Sequence, residues 1–191
     1  MFRGRHRAHN ELIAIKVIPV QKLHINPQLK RMIELEQRTL RALKHDNIVR
    51  LLDVIHTDKE IDLIYEFCEQ GSLAKALKRG VFSEPDALQV LFDLSNALVA
   101  LKSHGVVHRD IKPENILLKQ GRVKLADFGL CMTGEPTLED TISHIGSLAF
   151  MAPESLTNFQ YDFKTDVYSL GLLMYAALTQ LRARVGPSAL L

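Results

Sequence analysis

Cysteine is scarce in this chain, which has only Cys68 and Cys131, in separate segments and outside any Cys-x-x-Cys or Cys/His spacing. That excludes a disulfide framework and a zinc site, and it fits a reducing compartment. Charge of one sign is lacking as well. With 24 basic and 22 acidic residues the net charge is +2, so no strong field draws the chain to nucleic acid or another polyanion. The short basic run Arg3, Arg5, Arg7 reads as a solvated stretch. A basic start followed by an apolar segment is missing. The most apolar stretch, Val167 to Thr179, falls short of the roughly 20 residues needed to span a bilayer and contains Tyr and Ser. No internal repeat or low-complexity segment appears. These absences imply a soluble globular protein with no nucleic-acid or membrane partner, expected in the cytoplasm or, second, the nucleus.

What is present is a chain of 191 residues, 47% hydrophobic, with material for one large domain or two small lobes. From Glu11 to Ile18 the residues are β-branched and apolar apart from Lys16, which predicts a buried strand carrying one cation. Pro19 and Pro27 bracket an expected linker. Over Gln28 to Leu43, the apolar positions Leu29, Met32, Ile33, Leu35, Leu40 and Leu43 recur at helical spacing. Strands are expected at Ile48 to Ile55 and Ile61 to Phe67, joined by the polar turn His56-Thr57-Asp58-Lys59.

Gly71-Ser72 marks a break, after which the composition turns helical. Ser83 followed by Asp86 resembles a capping box, opening a helix whose predicted buried stripe is Leu88, Leu91, Leu94, Leu98 and Leu101. That helix should stop near His104-Gly105. Ile116 to Leu118 and Val123 to Ala126 flank Lys119-Gln120-Gly121-Arg122, a hairpin signal. A long aperiodic stretch holding Gly134, Pro136, Gly146 and Pro153 is expected to be a functional loop. Asp166 to Thr179 is apolar on nearly every face, as in a helix at the middle of a domain.

The chemistry concentrates between residues 108 and 129. His-Arg-Asp-Ile-Lys-Pro-Glu-Asn-Ile-Leu-Leu is followed by the hairpin and then Ala-Asp-Phe-Gly, so Asp110, Asn115 and Asp127 stand among Ile, Leu and Val. Polar side chains at fixed offsets in an otherwise buriable hairpin serve chemistry better than packing. Phosphoryl transfer needs negative charge neutralised, an acceptor hydroxyl in line, and a base for its proton.

These motifs resemble those of the eukaryotic protein kinase family, from about Phe2 to about Gln180. The resemblance implies an α+β, bilobal protein-kinase-like fold: residues 1–67 an N-lobe, 68–71 a hinge, 72–180 a C-lobe, and 181–191 a divergent tail. It implies ATP and Mg2+ as cofactors and protein substrates with Ser or Thr acceptors. Lys16, in Ile13-Ala14-Ile15-Lys16, matches the lysine that holds the α and β phosphates, with Glu36 as its partner and Glu34 as the weaker alternative. One turn is 3.6 residues, so the two glutamates point apart and only one can serve. Asp110 matches the catalytic base, and Lys112 the lysine that steadies the transferred phosphate in Ser/Thr-directed members. Asn115 and Asp127 match the magnesium ligands, both hard oxygen donors.

Main-chain groups of Glu66 and Cys68 are implied to read adenine, Tyr65 to set the depth behind the base, and Ser72 to contact ribose. Residues 130–151 resemble an activation segment ending in Met151-Ala152-Pro153-Glu154. In it Ser143, with Thr141 second, stands where an upstream kinase would act, and Arg109 would pair with that phosphate. Gly146-Ser147 resembles the segment facing the substrate hydroxyl, and Asp166 the aspartate that anchors the catalytic-loop backbone. The family's Gly-rich turn ahead of the lysine strand is absent, which implies weaker nucleotide binding and an incomplete N-lobe sheet. The helical C-lobe is expected to be incomplete too, leaving Glu154 without its usual arginine partner, a place that Arg182 or Arg184 is not expected to take, and a patch of the apolar helix exposed. Beside an active Ser/Thr kinase, two alternatives follow: an impaired kinase-like protein acting through nucleotide or partner binding, and a small-molecule kinase, against which Ala-Pro-Glu argues.

Overall fold

Leu12–Pro19 forms the strand β2 that the apolar run around Lys16 predicted. In the computed structural model, which describes residues 1–79, 84–134 and 147–179, it lies in a four-stranded antiparallel sheet of order β1-β2-β4-β3. The other strands are β1 (Phe2–Arg5), β3 (Leu51–His56) and β4 (Glu60–Glu66). Register pairs Gly4 with Ile13, Ala14 with Tyr65, and Lys16 with Leu63. A Cβ at Gly4 would sit 3.0 Å from Ile15 Cδ1, so the close packing of β1 on β2 leaves little room there.

The expected linker between the two prolines is instead a short helix, α1 (Val20–Ile25). The physical reason is Asn26, whose Oδ1 accepts the N–H of Leu29 at 3.1 Å and caps the next helix, α2 (Pro27–Ala42). Pro27 opens that helix at a position where no N–H is needed. With α2 started so late, the residues before it coil into their own turn and a half.

On α2 the buried positions are Ile33, Glu36, Thr39 and Leu40, all on one face. Glu34 lies on the exposed side, 4.0 Å from Lys30 one turn away.

β3 begins at Leu51, three residues after the expected Ile48. Ile48 bridges in parallel to Leu125 instead, Val49 N–H donates to Leu125 O at 2.8 Å, and Leu125 N–H donates to Asn47 O at 2.8 Å. This segment therefore joins the first sheet to the second half of the chain. Asn47 Nδ2, donating to Val123 O at 3.0 Å, adds a side-chain tie.

Gly71-Ser72, expected as a break, forms the two-residue strand β5, which pairs with β7 (Ile116–Lys119), itself paired with β8 (Arg122–Leu125). The β7–β8 turn places Gln120 and Gly121 at φ 51 and 73, the left-handed pair that a two-residue hairpin demands. Helices α3 (Leu73–Arg79) and α4 (Glu84–Ser103) follow β5, and the pair β6 (Val106–Val107) and β9 (Met132–Thr133) closes a third small sheet. A 3-10 turn (Leu148–Phe150), α5 (Pro153–Asn158) and α6 (Phe163–Thr179) complete the described chain. Ser83 and its cap lie outside the described residues.

The buried stripe of α4 is Ala87, Val90, Leu94, Ala97 and Leu101, which keeps Leu94 and Leu101 of the predicted leucine stripe and replaces the other three. Leu88 is 55% exposed, and Leu91 and Leu98 only partly buried. Alanine joins leucine on the buried side, where α6 and β8 both pack against this helix and small side chains let backbones approach. A second correction concerns α6. Leu170, Leu173, Met174 and Ala177 are buried, but Val167, Tyr168, Tyr175 and Leu178 are exposed. The helix packs on one side only.

One continuous core runs from Ile33 and Leu63 through Leu73, Leu94, Leu101 and Ile116 to Phe128 and Leu173. The expected α+β organisation is the observed one. Among the described residues no helix is long and apolar enough to cross a membrane.

Candidate active site

Lys16 leaves the middle of β2 on the face that α2 covers. Its Nζ donates to Glu36 Oε2 at 2.9 Å and lies 3.5 Å from Asp127 Oδ1. Burial alone would favour the neutral amine, but the Glu36 and Asp127 carboxylates outweigh it and its pKa is raised. Glu36 is 1% exposed, whereas Glu34 is used by Lys30, so the helix phase selects Glu36. The other Glu36 oxygen, Oε1, accepts the Tyr65 hydroxyl at 2.6 Å. Sequence reasoning gave Tyr65 only a space-filling role and missed this contact, because nothing in a linear pattern shows which side chain faces a strand tyrosine.

Below this group, the loop between β6 and β7 presents Asp110, Lys112 and Asn115. Asn115 Nδ2 donates to Asp110 Oδ2 at 2.8 Å and to Asp110 O at 2.9 Å. Lys112 Nζ lies 2.7 Å from Asp110 Oδ2 and donates to Ser147 Oγ at 2.8 Å. Ser147 N–H in turn donates to Asp110 Oδ1 at 3.0 Å. Both carboxylate oxygens of Asp110 are thereby oriented, and Ser147 is drawn against the loop from 37 residues downstream. The two groups are joined through main chain, since Ala126 N–H donates to Asn115 O at 2.9 Å, one residue before Asp127.

The loop backbone is held from beneath by Asp166 near the start of α6. Its Oδ2 and Oδ1 accept the N–H groups of His108 and Arg109 at 2.7 and 2.9 Å. His108 is fully buried and its Nε2–H donates to Ala126 O at 3.1 Å, while its Nδ1 accepts Asp110 N–H at 3.3 Å. Arg109 and Asp127 both sit at positive φ, 68 and 64, conformations that cost non-glycine residues energy and persist only where the surroundings enforce them. Arg109 Nε donates to Leu130 O at 2.7 Å, at the start of the loop segment that carries Ser143, Thr141 and Gly146, all outside the described residues. Arg182 and Arg184 lie outside them too.

The Glu66 side chain is busier than the main-chain role expected of it. Its carboxylate accepts Lys119 Nζ and Lys124 Nζ, each at 2.7 Å, and the Arg50 N–H at 2.9 Å, while its own N–H donates to Arg50 O. Burial would raise its pKa, yet these donors prevail and lower it. The first sheet and the β7–β8 hairpin are thus clamped together beside the connecting segment. Cys68 and Cys131 are both buried free thiols, each pushed up to about 11 by burial. Ser72 is half-buried in β5, opposite Leu117 of β7.

Asp93 is another residue that the motif reading passed over. Fully buried on α4, it accepts Arg122 Nη2 at 2.8 Å and Val123 N–H at 2.9 Å, anchoring β8 beneath the site. The signal was there, since a carboxylate between Phe92 and Leu94 in the middle of an apolar helix is rarely buried unpaired.

The chain matches the family described as "Protein kinase domain" over residues 1–183. Among curated proteins it is 34% identical to serine/threonine-protein kinase ATG1b of Arabidopsis thaliana, covering 94% of this chain and 26% of that protein. It is 36% identical to sperm motility kinase 2A of Mus musculus, over 92% of this chain and 34% of the mouse protein. With the Aurora kinase of Schizosaccharomyces pombe the identity is 38%, over 93% of this chain and 50% of the yeast protein. The chain thus spans between a quarter and a half of the length of these relatives. A match over nearly the whole chain makes this a member of the protein kinase domain family.

Proposed function

We propose that the chain is the catalytic part of a protein serine/threonine kinase, moving the γ-phosphate of Mg-ATP to a Ser or Thr hydroxyl of a protein substrate. One observation carries the reading: Lys16 bridges Glu36 and Asp127, while Asp110 is oriented by Asn115, Lys112 and Ser147. In this reading residues 1–67 and 72–180 are the two lobes and 68–71 the hinge.

The donor set suits the nucleotide's cation. Asp127 is half exposed, with a carboxylate on offer, and Asn115 spends its amide nitrogen on Asp110, leaving the amide oxygen as its ligating atom. Both are hard oxygen donors of the type Mg2+ takes. Bound there, Mg2+ supplies positive charge to the phosphate oxygens. Lys16 holds the α and β phosphates, main-chain groups of Glu66 and Cys68 receive the adenine edge, and Ser72 meets the ribose. Asp110 orients the acceptor hydroxyl and takes its proton as the new O–P bond forms and the bond to the departing ADP breaks. A carboxylate offers about four lone-pair sites, so the three donors already on Asp110 leave one for that hydroxyl. Lys112 steadies the moving phosphoryl group. Ser143, or Thr141, is the position we assign to an upstream kinase, and the cytoplasm, or the nucleus, is the compartment we assign.

The test is phosphate transfer from Mg-ATP to a generic basic protein, wild type against Asp110→Asn. Equal signals from the two remove the enzyme. The apolar face of α6, with Val167, Tyr168, Tyr175 and Leu178 exposed, favours a second reading, a kinase-shaped protein that works through partner binding. A melting curve separates them, because ligand binding to the folded state raises stability. A shift with Mg-ATP and no transfer supports the second reading; transfer supports the first.

A further inference from the structure

Each oxygen of the Glu36 carboxylate has its own donor, and the two donors come from neighbouring strands. Oε2 accepts Lys16 Nζ at 2.9 Å from β2, and Oε1 accepts the Tyr65 hydroxyl at 2.6 Å from β4. Tyr65 stands opposite Ala14, two residues before Lys16, so both side chains leave the same face of the sheet. The two partners differ in stiffness. Lys16 has four rotatable bonds, is about a third exposed and is shared with Asp127 at 3.5 Å, so it cannot by itself define where the carboxylate sits. Tyr65 has two side-chain torsions and is 5% exposed, its ring packed in the core. Its hydroxyl is also committed as a donor: burial and the adjacent Glu36 carboxylate both raise its pKa, so the proton stays on the phenol.

We propose that Tyr65 is a positioning residue, whose hydroxyl fixes one oxygen of Glu36 so that the other stays on Lys16 and α2 stays latched to the sheet. The consequence for nucleotide rests on the reading above; the latch itself does not. Without the hydroxyl, Glu36 regains rotamer freedom and Oε1 loses its partner in a buried site. Lys16 is then held by Asp127 and a loosened Glu36. Its ammonium becomes both more reachable and less well placed for phosphate.

Two measurements test this, the first without nucleotide. Wild type, Tyr65→Phe, Glu36→Gln and the double variant are exposed briefly to acetic anhydride, and acetylation of Lys16 is followed by mass spectrometry, with melting curves alongside. Tyr65→Phe is expected to raise the Lys16 rate about tenfold, the effect of losing one hydrogen bond to a charged group, and to add nothing in the Glu36→Gln background. A wild-type rate in Tyr65→Phe overturns the proposal, as does an equal increase with and without Glu36. Should Tyr65→Phe fail to fold, the Cζ resonance of 13C-labelled tyrosine decides: that of Tyr65 moves when Glu36 becomes Gln, and an unmoved resonance overturns the latch.

The second measurement is calorimetric binding of Mg-ATP and of adenosine. Tyr65→Phe is expected to weaken Mg-ATP about tenfold and leave adenosine unchanged. Equal loss of both ligands would mean that the ring only shapes the base slot, which also overturns the proposal. A wild type that binds neither ligand sinks the nucleotide reading, while the Lys16 rates still decide the role of Tyr65.

Discussion

Asp166 Oδ2 accepts the main-chain N–H of His108 at 2.7 Å across 58 residues of sequence. The neighbouring oxygen accepts Arg109 at 2.9 Å, so one carboxylate buried at 3% exposure holds a backbone that is otherwise unfavourable at Arg109, where φ is 68. Asp166→Asn replaces one acceptor with an NH2 that must face a main-chain N–H. We expect a loss of about 2 kcal/mol of stability, read as a lower urea midpoint. Phosphate transfer should fall further than stability does, since Asp110 rides on the same loop. A variant with wild-type midpoint and rate refutes the anchor.

Asp93 carries a pH dependence. Burial would raise its pKa, but donation from Arg122 and from Val123 N–H prevails and lowers it. A carboxylate with a folded pKa below its unfolded value of about 3.9 stabilises the fold above that pH. The contribution is lost as pH falls through the lowered folded value. Thermal melts from about pH 7 to about pH 3 should show the wild type well above Asp93→Asn at neutral pH and the two curves converging in acid. Parallel curves would remove Asp93 from the account.

Lys16→Met leaves Glu36 buried with Tyr65 as its remaining donor among the contacts described here. Breaking a buried pair from one side costs about 3 kcal/mol, so the variant should melt lower than wild type. Adding Glu36→Gln should recover part of that loss, because the stranded charge is then gone. Transfer activity should drop about a hundredfold in either variant. If the second substitution lowers stability again, the pair is not what holds α2.

Ser147 touches Asp110 through its main chain and Lys112 through its hydroxyl. Ser147→Ala removes only the second contact. Steady-state kinetics should show kcat reduced about tenfold with the KM for ATP unchanged, the pattern of a contact that matters during transfer. A raised KM with normal kcat would place Ser147 in nucleotide binding instead.

Ala97 is completely buried on α4, while Leu88 on the same helix is 55% exposed. Ala97→Leu should overpack the α4 contact with α6 and β8 and cost about 2 kcal/mol. Leu88→Ala should change stability by less than about 0.5 kcal/mol. Chemical denaturation of the two variants checks both at once. The reverse ranking would restore the leucine stripe.

That last contrast shows where sequence reading of this chain succeeds and where it stops. The α2 face was legible because Ile33 and Leu40 recur at helical spacing, whereas the preference for Glu36 over Glu34 came from the family resemblance and its burial from the structure. The β7–β8 hairpin was legible from Gly121 between two short apolar runs, and the loop of Asp110, Lys112 and Asn115 stood out by residue types that have no packing reason to be there. On α4 the same logic found Leu94 and Leu101 but missed Ala87, Val90 and Ala97, because alanine carries little hydrophobic signal and its burial depends on how closely neighbouring elements approach. Asn26 likewise turned a supposed linker into a helix boundary, through a hydrogen bond that composition does not reveal.

Local chemistry written into the chain determined which polar groups are available for the proposed function: Lys16, Glu36, Asp110, Asn115 and Asp127, at spacings that a strand, a helix and a loop can present. Only tertiary structure decided how they are held. Tyr65 reaches Glu36 across 29 residues, Asp166 reaches His108 across 58, and Asn47 ties to Val123 across 76. Contacts of that range leave no periodic trace, because each depends on where two independently formed elements come to rest against a shared core.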